Sequence, residues 1–169
     1  MEYIKGIETD AIIKEGYEIE PTCIRANVSA NKMLSVIQHF LEMNGEENYD
    51  FALHVSLEHY HLSGMYKAML LAMFEHMEDV LVNDGMSTFA ITAANGDVLT
   101  KDLYNEMHVT SSKIVKRYKK IFEKENMKRH DDLEFLKDQD LEVKTKRYVM
   151  DDGTDIYAVV GALKMLGMK

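Results

Sequence analysis

A mainly α fold with a small β-hairpin, an α+β chain, is what the sequence predicts, and three observations carry the prediction. One proline and nine glycines punctuate 169 residues, so long uninterrupted elements are expected. Apolar residues recur at helical spacing in two places, Leu34, Ile37 and Leu41, and Ile114, Tyr118 and Ile121. Between Val143 and Val160, two strand-like runs, VKTKRYVM and DIYAVV, flank an Asp-Asp-Gly-Thr turn.

Taken in order, residues 1–28 scatter Tyr3-Ile4, Ile7, Ile12-Ile13 and Tyr17–Ile19 among acids and turn formers, which suggests short strands or an irregular arm ended by Pro21. Ser29 or Asn31 can cap the helix that follows, and Asn44-Gly45 offers it a left-handed stop. Residues 50–83 are expected to be helical, kinked at Ser63-Gly64. Within them the run AMLLAMF is apolar on every side, which predicts a helix at the centre of the domain or in a dimer interface. Thirteen methionines favour adaptable packing surfaces.

Residues 86–126 accommodate three helices. The first ends at Asn95-Gly96, the second opens at Thr100 with Asp102 in its first turn, and the third opens after Val109 with Thr110 or Ser111 as cap. Phe89, Ile91, Leu103, Met107 and Val109, with the third-helix positions, would form a small tripod core. Another helix can be read in 127–142, around Leu133, Phe135 and Leu136. Two halves of one body result: residues 1–85, an arm and a helical half suited to dimerisation, and residues 86–169, ending in the hairpin.

The formal charge is −9, but it is segregated. Residues 113–129 hold eight lysines and arginines against two glutamates, a local +6, leaving −15 elsewhere. A basic block on an acidic body is the footprint of a polyanion-binding face.

The stretch ITAANGDVLTKDLYNEMHVTSSKIVKRYKKIFEKEN resembles the winged helix-turn-helix superfamily, in particular the core of MarR-like bacterial regulators. The matching features are the Asn-Gly end of the leading helix, the Leu-Thr opening, the Val-Thr-Ser-Ser turn and the Ile-x-x-Arg start of a basic helix. That resemblance implies a DNA-binding transcriptional regulator. Helix 111–125 would enter the major groove of double-stranded DNA, as one of a symmetric pair in a homodimer. The residues expected to meet DNA are Thr100, Thr110, Ser111, Ser112, Lys113, Lys116, Arg117, Lys119 and Lys120, with Lys144, Lys146 and Arg147 on the first strand of a displaced wing. The acidic remainder motivates an alternative, an acidic helical adaptor that grips a basic protein partner without DNA.

Other chemistry is weakly supported. His54, Glu58 and His61 would share one face of a helix, but a carboxylate-bridged metal site needs a second such set. Cys23, the single cysteine, has no base nearby in sequence and excludes an internal disulfide. Glycine-rich phosphate loops are absent, and Asp151-Asp152-Gly153 reads as a turn rather than a calcium loop. Neither an enzyme nor a cofactor or metal is expected. The most apolar run, Ala68–Phe74, is too short to span a bilayer, and the N-terminus lacks a signal-peptide pattern. The expected location is therefore the cytoplasm, without membrane contact.

Overall fold

Burial with a period of two runs through the middle of the chain, and it builds a sheet where helices were expected. The structure is a computed structural model that describes residues 1–113 and 115–169. Its strands are β1 (Ile7–Glu8), β2 (Gly16–Ile19), β3 (Cys23–Asn27), β4 (Asn48–Val55), β5 (Glu58–Tyr66), β6 (Ser87–Ala93), β7 (Val98–Lys101), β8 (Glu106–Thr110) and β9 (Lys144–Thr145). Its α-helices are α1 (Met33–Asn44), α2 (Lys67–Asn83), α3 (Lys119–Lys124) and α4 (Ile156–Lys164). Seven strands form one antiparallel sheet in the order β2-β3-β8-β7-β6-β4-β5, and β1 pairs with β9 separately.

The central strands β4, β6 and β7 bury alternate residues because successive side chains point to opposite faces of a pleat. In β6, Ser87, Phe89, Ile91 and Ala93 are buried while Thr88, Ala90 and Thr92 are only half-buried. Cross-strand register carries that parity along the sheet: Phe89 faces Leu53 and Lys101, and Ile91 faces Phe51 and Leu99. Ile24 faces Val109, and Ala26 faces Met107. These residues join the helices in a single core. Val36, Ile37, Phe40 and Leu41 come from α1, and Leu70, Met73 and Phe74 from α2. Phe74 meets Phe51 edge-on at 5.8 Å and Phe89 at 5.1 Å, and burying one such ring contributes about 2–3 kcal/mol.

The opposite face is polar. One part of it is crossed by the segment around Phe135 and Leu136, both buried, with the Arg25 guanidinium 3.6 Å from the Phe135 ring centre.

Several expectations are corrected. The mainly α class, with a helix-turn-helix core, is replaced by a β-rich α+β fold: residues 86–110 contain the meander β6-β7-β8 rather than two helices. Asn95-Gly96 is a hairpin turn and not a helix stop, with Gly96 at φ +91° and Ala93 N–H donating to Asp97 O at 2.8 Å. The expected helix 111–125 is a 3-10 turn, Val115–Tyr118, running into the six-residue α3. Ile114, assigned to its core side, lies outside the described residues. The first part of the predicted helical region 50–83 is β4 and β5, and only its second part is helical, as α2. Within α2, Ala68, Met69 and Ala72 are exposed, so AMLLAMF is not buried on all sides.

The hairpin over 143–160 is absent too. Lys144–Thr145 pairs with β1, while DIYAVV supplies α4, whose start is capped by Asp155 Oδ1 accepting from the N–H groups of Tyr157 and Ala158. The first predicted helix is present as α1, and Gly45 ends it at φ +80°. Among the described residues, no helix is long and apolar enough to cross a membrane.

Candidate functional site

Two places concentrate charge. The first is the basic stretch after β8. Val115, Tyr118, Ile121 and Phe122 turn inward; Phe122 stacks on Tyr17 and Tyr118 packs against Phe40, each pair with ring centres 5.4 Å apart. Tyr118 is further anchored by its hydroxyl, which donates to Asp97 at 2.6 Å and accepts from Asn44 at 3.0 Å. Burial and the Asp97 carboxylate push the Tyr118 hydroxyl pKa well above its ordinary value.

With that side held, helical geometry turns Lys116, Arg117, Lys119, Lys120 and Lys124 outward, all exposed, and Lys113 precedes them in an exposed bend. Arg117 donates to the carbonyl of Met43 at 2.9 Å, and Lys119 has Glu123 at 4.0 Å. Among the described residues, no carboxylate lies within ion-pair distance of Lys113, Lys116, Lys120, Lys124 or Lys128.

The other residues expected to meet DNA are dispersed. Thr100 is half-buried on the polar sheet face, opposite His108. Thr110 is exposed and ends β8 instead of capping a helix; Ser111 is buried and Ser112 exposed. The presumed wing cations are exposed, but each has an acid beside it: Lys144 with Glu142 at 3.9 Å, Lys146 with Glu8 at 3.2 Å and Arg147 with Asp155 at 3.4 Å. The expected histidine face is split by the β4-β5 turn. His54 stands across from His59, rings 4.2 Å apart, whereas Glu58 lies opposite Val55 and therefore on the other side of the sheet.

The second concentration lies on the polar face of β3 and β8. Glu106, 3% exposed, accepts from Arg25 Nε and Nη2 at 3.0 Å each, from Lys137 at 3.1 Å, and from His108 Nε2. Lys137 also reaches Asp102 at 2.7 Å, and Arg25 reaches Asp138 at 2.8 Å. Burial on its own would raise the Glu106 pKa, but hydrogen bonds from His108, Arg25 and Lys137 outweigh it and hold the value at about 2. Burial likewise opposes charge on His108, yet its bonds to Cys23 and Glu106 lift it to about 9.

Asp102, Glu106 and His108 bring potential metal-ligand atoms within 4.8 Å of one another. The Lys137 ammonium already stands where a cation would sit, and the Glu106 oxygens are filled by donors. The geometry is that of a closed ionic network clamping the 134–138 segment to the sheet.

None of this network was visible in the sequence, because Arg25 and Glu106 lie 81 positions apart and Cys23 and His108 lie 85 apart. The available signal was alternation within CIRAN and EMHVT, which puts Cys23, Arg25, Glu106 and His108 on one face once those two strands pair. No protein-family model, curated protein or solved structure matches the chain.

Proposed function

We propose that the chain binds double-stranded DNA through the exposed basic ridge formed by Lys113, Lys116, Lys120, Lys124 and Lys128, by contacts with phosphates rather than by a helix laid in the major groove. The observation that supports this reading is the set of lysines lacking acidic partners on an otherwise acidic molecule. Ammonium groups on flexible stems suit phosphates, and the surrounding negative charge would keep the rest of the surface away from the duplex. With its short α3, the ridge offers little base readout, so binding would depend weakly on sequence.

Fluorescence anisotropy with a labelled duplex tests this. Affinity should fall steeply from about 50 mM to about 200 mM salt, with a log–log slope of about −0.9 for each phosphate neutralised. The double charge reversal Lys116→Glu with Lys120→Glu should weaken binding at least about tenfold and flatten that slope by about 2. Absence of binding at about 50 mM salt, or a double variant that binds as tightly as the parent, would remove the proposal.

A further inference from the structure

We infer that Cys23 is a reactive thiol, aligned with His108 and Glu106 in nucleophile–imidazole–carboxylate order, and that it undergoes exchange with small disulfides. The alignment comes from register. Cys23 stands across from Thr110 and Arg25 across from His108, so the sulfur and the imidazole are diagonal neighbours on one face of the β3-β8 pair. Cys23 Sγ lies 4.0 Å from His108 Nδ1, and His108 Nε2 bonds Glu106. Arg25 and Lys137 hold that carboxylate in place. Cys23 is partly exposed and Thr110 across from it is exposed, so a small molecule can approach this part of the face; the thiol's other polar neighbour is the Ile24 carbonyl at 3.5 Å.

The chemistry follows from which nitrogen faces which partner. Glu106 binds the ring at Nε2, leaving Nδ1 toward the sulfur, and the charged ring stabilises negative charge there as the sulfur attacks. In the exchange, the Cys23 S–H proton leaves to solvent and the Cys23 sulfur bonds one sulfur of a small disulfide. The disulfide S–S bond breaks, and the departing thiolate takes a proton from solvent. Cys23 ends as a mixed disulfide, oxidised by the co-reactant that is itself half reduced to a thiol. The groups around the imidazole are Glu106 on the same strand, Cys23 and Arg25 on β3, Thr100 on β7, Asp102 at 3.9 Å, and Lys137 from the crossing segment.

Because the chain has one cysteine, reaction with 5,5′-dithiobis(2-nitrobenzoate) reports on Cys23 alone. At pH 7 the native protein should react about tenfold faster than the same chain unfolded in guanidinium, despite its partial burial. The native-to-unfolded rate ratio should shrink as pH rises through about 9, where the imidazole loses its charge. His108→Gln, checked for native circular dichroism, should react no faster than the unfolded chain. A native rate equal to or below the unfolded one overturns the inference, as does a folded His108→Gln protein that reacts as fast as the parent. The native-to-unfolded comparison decides the matter even if that variant does not fold.

Discussion

Glu106 shows how one buried carboxylate can organise a face of the molecule. Its side chain is 4% exposed and receives donors from β3, from β8 and from the crossing segment. Such a charge is tolerable only because it is paired and hydrogen-bonded; removing it leaves Arg25 with Asp138 and Lys137 with Asp102, and takes the buried acceptor that joins them to His108. Glu106→Gln is therefore expected to destabilise the protein by about 3 kcal/mol in urea unfolding, with Arg25, His108 and Lys137 left facing a neutral amide. A loss under about 1 kcal/mol would mean that the network closes over the sheet without depending on this carboxylate. Lys101 poses the reverse problem. It lies on the core side of β7, 1% exposed, and burial, partly offset by Asp84 and Asp102, lowers its pKa to about 8.

The small β1-β9 pair illustrates how two backbones approach closely. Lys146 N–H donates to Gly6 O at 2.8 Å and Gly85 N–H to Lys146 O at 3.1 Å, so Gly6, Gly85 and the strand ends form a tight knot. A Cβ added at Gly85 would stand 2.0 Å from Gly6 O and 2.8 Å from Lys146 O, both backbone atoms with little freedom to yield. Gly85→Ala is expected to cost on the order of 3 kcal/mol and to free the 144–147 segment for proteolysis, as limited digestion would show. An alanine variant with unchanged urea midpoint would mean that this knot rearranges easily. The same region accounts for the misread hairpin: Lys144–Thr145 finds its partner in β1, far back in the chain, and not in the nearby DIYAVV.

The titration of the whole protein combines these groups with opposite signs. Glu106 is depressed from 4.5 to about 2, so its contribution is present above pH 4.5 and is lost as pH falls toward 2. His108 is raised from 6.5 to about 9, so its contribution is complete below pH 6.5 and disappears as pH climbs through 9. These two shifts describe the same contacts from either end and are not to be added. Lys101, depressed from 10.5 to about 8, works the other way, favouring the native state increasingly between pH 8 and 10.5. Urea midpoints should accordingly be highest between about pH 4.5 and 6.5 and decline from 6.5 toward 8, before Lys101 begins to offset the loss. A flat profile from pH 6.5 to 9 would show that the His108–Glu106 pair contributes little to folding.

Some of this architecture was written in adjacent residues. The helical spacing of Leu34, Ile37 and Leu41 and the Asn44-Gly45 stop specify α1, since periodicity and a left-handed terminus are local properties. The alternation in STFAITA and the Asn-Gly pair after it also announced a strand and a hairpin. Phe89 and Ile91 are two apart, a pleat period, which puts them on one face of a strand rather than of the leading helix of a helix-turn-helix. Tertiary structure alone decided that β3 would lie beside β8, and hence that Cys23, Arg25, Glu106 and His108 would meet. That pairing brings together Arg25 and Glu106, 81 positions apart, and Cys23 and His108, 85 apart. Its register is set by which strand face must be buried against α1 and α2, and no window of neighbouring residues contains that information.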